Sequence, residues 1–211
     1  AGCCKNYKNK FKGIFGMIDK NIVCGMVDAY LLQIDSREIS ARLGYETDLD
    51  TVKPYLNAVL NSSDCRFAYI KVPVQICESE CDFDFAKLNS VSLSRVLRDC
   101  NYAYILAVTL GIDVDRLISK SYITNKSDAI VIDAIASATA EALADYVNAI
   151  ICKDLTTTKR FSPGYADFPL EFQKCLSEKL NLLNSIGISL TDRLMMIPRK
   201  SITAVIGIKN T

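Results

Sequence analysis

The residues best suited to chemistry lie in segment 160–171, which reads RFSPGYADFPLE. Arg160 supplies a fixed fork of donors that matches a carboxylate or a phosphate, and Tyr165 supplies an aromatic face with a polar tip. Pro163 fixes its own φ, and Gly164 permits a positive φ and lets another molecule approach the backbone. The segment predicts a shaped binding loop. The alternative is a rigid turn in which Arg160 caps the carboxyl end of a helix.

Three carboxylates interrupt an otherwise small and apolar helix, which the sequence predicts at residues 127–153. They are Asp133, Glu141 and Asp145. A helix that is apolar nearly all round is buried on most sides, and a carboxylate in such surroundings needs a partner or a ligand. Glu141 and Asp145 are four residues apart and therefore share one face. Two interpretations stay open: a ligand-binding carboxylate, or an internal pair between Glu141 and Arg160.

The chain contains no histidine. This excludes Ser-His-Asp and Cys-His nucleophiles, histidine general bases and facial-triad iron sites. The sequence also lacks a Walker loop and a Gly-x-Gly-x-x-Gly fingerprint. Most self-contained enzyme classes therefore lack their usual machinery here.

Nine cysteines, an odd number scattered along 211 residues, indicate free thiols in a reducing compartment. Cys77 and Cys81 could form half of a zinc site, but no second close pair follows, so we expect ordinary thiols and no metal. With 25 basic and 24 acidic side chains the chain has no net field for nucleic acid or an anionic membrane. No apolar run approaches the roughly 20 residues of a membrane span. We expect a cytoplasmic protein without nucleic-acid or membrane partners.

The elements that position these residues predict an α+β domain at residues 27–211, preceded by a lysine-rich tail at 1–26 that is disordered or a short basic helix. The sheet is predicted to be mixed and largely antiparallel, flanked by helices, with one long buried small-residue helix. The last two predicted strands, joined by Pro198, should form a hairpin. Helices are predicted at 36–44, 49–60, 92–98, 113–122, 127–153 and 170–184, and strands at 66–76, 102–110, 188–197 and 201–208.

Two longer segments resemble the reactivation domain of vitamin B12-dependent methionine synthase. They are residues 160–173, RFSPGYADFPLEFQ, and residues 186–207, IGISLTDRLMMIPRKSITAVIG. The helix motif AEALADY at 140–146 and the segment IDSREISARLGY at 34–45 fit the same family. The similarity covers nearly everything after residue 30 and is greatest to the short, free-standing members.

The resemblance implies a site for S-adenosylmethionine. The family's Arg-x-x-x-Gly-Tyr motif falls on Arg160, Gly164 and Tyr165. Arg160 would hold the methionine carboxylate, and Ser162 would offer backbone groups to the adenine.

The resemblance also places two carboxylates at this site. Glu141 matches the family's helix carboxylate, and Asp35 matches an acidic residue that meets the ligand's ammonium group. A sulfonium and an ammonium both require negative charge nearby.

The implied function is reductive remethylation of cob(II)alamin, with the electron supplied by a flavodoxin-like donor. Without histidine this chain cannot provide the lower ligand of cobalamin, so the cobalamin would be on a partner, a methionine synthase polypeptide or another corrinoid protein. The chain would then be a component of a methyltransferase in methionine biosynthesis, and not a self-sufficient catalyst.

Two other functions stay open. The full-length synthases carry a tyrosine on a further C-terminal strand, which is absent before Thr211, and this favours a docking or chaperone subunit for a corrinoid methyltransferase that no longer binds S-adenosylmethionine. The other is an independent methyltransferase for a small molecule. Against it, the sequence has no glycine-rich strand-turn-helix of the common methyltransferase fold.

Overall fold

The computed structural model describes residues 11–13 and 21–210. Over these residues the chain forms the predicted α+β fold, in which every strand pairing is antiparallel. Seven strands form the main sheet: β1 (Phe11–Gly13), β2 (Val23–Val27), β3 (Arg66–Cys77), β4 (Glu80–Phe83), β5 (Ala86–Asn89), β6 (Cys100–Thr109) and β9 (Ser201–Lys209). Two short strands, β7 (Ser189–Leu190) and β8 (Met196–Ile197), pair only with each other.

Helices cover both faces of this sheet. One face packs against α1, α2, α4 and α5, and the other against α3, α6 and α7. Strand β6 shows why: Ile105 and Ala107 point into one core, and Leu106 and Val108 into the other, so a continuous apolar run fits a strand that is buried on both sides. The helices are α1 (Ser36–Leu43), α2 (Lys53–Ser62), α3 (Val91–Leu97), α4 (Ile112–Thr124), α5 (Lys126–Ile151), α6 (Phe172–Lys179) and α7 (Leu182–Ile186). Among the described helices, none is both long and apolar enough to cross a membrane.

Helix α5 is the predicted long helix of small buried residues. It begins after Asn125, whose side chain accepts a hydrogen bond from the backbone N of Ser127 at 3.0 Å. Six alanines are among its fully or nearly fully buried residues, which lets the helix axis lie close to the sheet: Ala129, Ala134, Ala136, Ala138, Ala140 and Ala144. The helix therefore presents its few polar residues at fixed positions.

Two sequence predictions about the last third of the chain are wrong. The single helix predicted at 170–184 is divided into α6 and α7 at Asn181, which has a positive φ of 47°. The predicted hairpin of 188–197 with 201–208 does not form, because β9 pairs along its length with β6. Since Ala204, Val205 and Ile206 are all fully buried, β9 needs cover on both faces, which a surface hairpin would not give.

Strand β2 crosses the boundary predicted between residues 26 and 27. It pairs with β3 in the main sheet, and Cys24 within it is buried. Residues from Val23 onward therefore belong to the sheet. Most of the predicted tail, residues 1–10 and 14–20, lies outside the described residues.

Candidate ligand-binding site

Residues 156–161, here the edge segment, run along the outer edge of β9. Phe161 and Val205 exchange two backbone hydrogen bonds, of 3.0 and 2.9 Å. Further main-chain bonds of 2.9 Å join Thr158 to Gly207 and Lys209 to Thr156. The sheet therefore fixes the backbone position of Arg160, which immediately precedes Phe161.

The Arg160 side chain turns inward to α5. Its Nη2 lies 2.8 Å from Glu141 Oε2 and 3.2 Å from Asp145 Oδ1, and the side chain is only 18% exposed. The predicted internal pair with Glu141 thus exists. It uses only part of the guanidinium, because Nη1 is buried and has no hydrogen-bond partner among the described residues. A buried donor left unpaired is costly, so this nitrogen is suited to an acceptor that the described chain does not supply.

A polar stripe runs along one face of α5, since residues four apart in a helix lie above one another. It consists of Asp133, Ser137, Glu141 and Asp145. At its lower end the Nζ of Lys200, a side chain only 10% exposed, lies 2.9 Å from Asp133 Oδ1 and 2.8 Å from Ser137 Oγ. Three carboxylates of the stripe thus face two cations, Lys200 and Arg160. The cluster carries one excess negative charge.

A groove of ≈ 580 Å³ lies between residues 33–35 and the second half of α5. Asp145 lines this groove and also contacts Arg160, so the groove begins where the Arg160 cluster ends. The lining residues are Gln33, Ile34, Asp35, Ala142, Asp145, Tyr146 and Ala149. The fold thus brings two acidic side chains that are 110 positions apart in sequence to one groove.

Asp35 is at this groove but is already engaged. Its carboxylate caps α1, accepting from Arg37 N at 2.9 Å, and it pairs with Arg37 Nη2 at 2.7 Å. The hydrogen bond from the Arg37 side chain lowers the pKa of Asp35 below its usual value. Asp35 is therefore ionised at neutral pH, with its charge shared with Arg37.

Residues 162–168, here the site loop, follow the edge segment. Gly164 has φ +86°, the left-handed conformation that its type predicts, and its N–H donates to the carbonyl of Phe168 at 2.9 Å. The Ser162 carbonyl accepts from Tyr165 N at 3.2 Å, which closes a tight turn. Tyr165 is 68% exposed and its ring meets Phe161 edge-on at 5.5 Å. The loop thus presents an aromatic face to solvent next to Arg160.

Asp167 is the one member of this loop that sequence reasoning did not single out. Its carboxylate accepts hydrogen bonds from Ser90 Oγ at 2.8 Å and from the backbone N–H groups of Val91 at 2.6 Å and Ser92 at 3.1 Å. These partners are 75 to 77 positions away in sequence, so no local pattern could indicate them.

Cys77 and Cys81 lie on opposite faces of the β3–β4 hairpin. In its register Cys77 is opposite Glu80, and Cys81 is opposite Ile76. Cys77 is exposed, whereas Cys81 is buried, and burial raises the pKa of the Cys81 thiol to about 11. The two thiols cannot hold one metal ion in this geometry, and the described residues contain no group of three or more candidate metal ligands.

Comparison with known proteins places this architecture. No family model and no curated protein matches the sequence. Among solved structures, the chain is similar to a crystal structure of the MetH reactivation domain bound to AdoHcy, with a TM-score of 0.69 and 14% sequence identity. The match covers 89% of this chain and 78% of that chain. The chain therefore has the fold of the reactivation domain, and the resemblance read from the sequence is confirmed at the level of fold.

Proposed function

We propose that this chain binds S-adenosylmethionine beside Arg160 and acts as a reactivation component of a cobalamin-dependent methionine synthase. The observation that carries the proposal is the buried Arg160 guanidinium, which keeps Nη1 unpaired among the described residues at the end of an acidic groove. The fold adds support, because the similar MetH domain is bound to AdoHcy.

The residues present fit the chemistry of S-adenosylmethionine. Its carboxylate would satisfy Nη1 of Arg160, and its ammonium and sulfonium groups would face Asp145 and Asp35. Its net positive charge matches the excess negative charge of the Arg160 cluster. The groove volume falls within the range of about 300 to 1,000 Å³ typical of small-molecule sites.

The site loop would hold the adenosyl end of this ligand. Tyr165 offers an exposed ring for stacking, and Gly164 leaves its backbone open because it has no side chain. The Ser162 backbone lies in the same turn.

Bound S-adenosylmethionine would supply a methyl group, and the residues of this chain would position it and stabilise its charge. No proton transfer is needed for this, so a site without histidine suffices. The cobalamin that receives the methyl group would be carried by a partner protein in the cob(II)alamin state, and a flavodoxin-like protein would supply the electron.

The first test is calorimetric titration of S-adenosylmethionine into the native chain and into Arg160→Ala. Loss of a charge-assisted pair should weaken binding by roughly ten- to a hundredfold, equivalent to about 1.5 to 3 kcal/mol. Arg160→Lys is the matched control, because it keeps the charge without the planar fork and should give an intermediate loss. Equal affinities for the native chain and Arg160→Ala would remove Arg160 from the site.

A further inference from the structure

The site loop contains two residues in the left-handed conformation. Gly164 has φ +86° and Ala166 has φ +51°, on either side of Tyr165. Glycine adopts this conformation without strain, but the Cβ of alanine makes it unfavourable. Such a residue persists only where the surroundings hold it in place. The orientation of Tyr165 therefore depends on whatever fixes the loop just after Ala166.

The residue after Ala166 is Asp167, whose carboxylate bonds to the first turn of α3. The first N–H groups of a helix have no partner within the helix, and a negative charge is favoured beside them. Ser90 Oγ supplies one cap by accepting from Leu93 N at 3.0 Å. Asp167 supplies the acceptors for the two preceding N–H groups, so one carboxylate completes the helix cap and joins the loop to α3.

The other end of the loop is fixed by packing. Phe168 is buried, with its ring stacked on Phe161 at 6.0 Å and tilted against Phe172 at 5.5 Å. These contacts hold the loop's base. They leave the exposed apex, with Tyr165, dependent on the polar bonds of Asp167.

We propose that Asp167 is a positioning residue for the site: by bonding to the start of α3 it holds Ala166 left-handed and thereby sets where the Tyr165 ring stands. The role in ligand binding rests on the proposed function. The role in ordering the loop does not, and the two can be measured separately.

Loop order can be read directly, because the chain contains no tryptophan. In Tyr165→Trp the single indole reports on the loop alone. Adding Asp167→Asn should lower the fluorescence anisotropy of that indole at temperatures far below unfolding, because an amide NH₂ faces backbone N–H donors and the charge is lost. Adding Asp167→Glu should restore part of the anisotropy.

Affinity is then measured with Tyr165 intact. Asp167→Asn should weaken S-adenosylmethionine binding by about fivefold, the equivalent of one lost helix cap. The matched control is Asp48→Asn, since the exposed Asp48 carboxylate also accepts a backbone bond, from Thr51 N at 2.7 Å, in a different turn. The control should change neither the anisotropy nor the affinity.

Unchanged anisotropy and unchanged affinity in Asp167→Asn, with only a lower melting temperature, would overturn the proposal and leave Asp167 a helix cap. Failure of the native chain to bind S-adenosylmethionine would overturn the proposed function and the ligand role of Asp167 together. The anisotropy comparison would still decide whether Asp167 holds Tyr165.

Discussion

Two carboxylates on successive turns of α5 share the Nη2 of Arg160, yet their positions give them different tasks. Glu141 makes the shorter contact, 2.8 Å, and is outside the groove lining, whereas Asp145 is at 3.2 Å and lines the groove. Glu141 is thus placed to orient Arg160, and Asp145 is placed to meet a cation in the groove.

This difference can be tested with two ligands of different charge. Asp145→Asn should weaken S-adenosylmethionine by about fivefold and leave S-adenosylhomocysteine, which lacks the sulfonium charge, nearly unchanged. Glu141→Gln should weaken both ligands to a similar degree, because it loosens Arg160, which binds the carboxylate common to both. Calorimetric titration of the two ligands into each variant measures the ratio. The same ratio in Asp145→Asn as in the native chain would contradict the assignment.

Asp167 should titrate abnormally in the native fold. Hydrogen bonds from the side chains of Ser92 and Ser90 hold its pKa to about 2. Because the folded pKa is below the unfolded value of about 4, the carboxylate stabilises the fold above about pH 4, and this contribution is lost as the pH falls through about 2. Carbon-detected NMR of the Asp167 carboxyl checks this. A midpoint near 4 would show that the bonds to α3 are not kept in solution.

At the scale of elements, α5 and β9 are joined at both ends of the polar stripe. Lys200 holds the lower end through Asp133 and Ser137, and Arg160, carried on the edge of β9, holds the upper end. The rotation of α5 about its own axis is thereby fixed, and with it the direction of Glu141 and Asp145.

Removing the lower attachment should cost stability. Lys200→Met leaves Asp133, about one-third exposed, without its cation, and we expect the free energy of unfolding to fall by about 2 kcal/mol. Urea denaturation measures this loss, with exposed Lys120→Met as the control. Replacing Asp133 by Leu in the Lys200→Met background should recover most of the stability. No recovery would mean that the loss comes from packing of the lysine stem.

Local signals in the sequence were sufficient for elements whose ends are set by neighbouring residues. Asp35 and Gly44 bound α1 as a cap and a left-handed stop, and the four-residue spacing of Glu141 and Asp145 placed both beside Arg160. The partner of β9 could not be predicted, since an apolar strand fits any buried position and the choice is made by distant β6. The Asp167 bonds to α3 were beyond reach for the same reason.

At the scale of the whole molecule, the candidate site is at the rim of a three-layer domain. The core of the domain is filled by side chains on both faces of the sheet, and the site is made of an edge segment, a loop and one helix face. Such a shallow, open arrangement can show a ligand to a second protein. We therefore expect the isolated chain to methylate nothing.

Activity should appear only in a mixture with a cob(II)alamin-loaded methionine synthase, S-adenosylmethionine and a low-potential reductant, and it is read as the absorbance spectrum of methylcobalamin. Tyr165→Ala and Gly164→Val should suppress this signal, the valine more strongly, because a β-branched residue is strained at φ +86°. If the rate is the same without the chain, or with both variants, the reactivation role fails. A chain that still binds the synthase would then be a docking subunit.

The edge segment has a consequence beyond ligand binding. An uncovered strand at the rim of a sheet is a template for pairing with another molecule, and residues 156–161 cover this rim of β9 with their own backbone. A lineage that lost interest in the ligand would still need that cover to avoid aggregation. Among relatives, the main-chain pairing of this segment should therefore outlast its arginine, and only the persistence of Arg160 itself would report on the ligand.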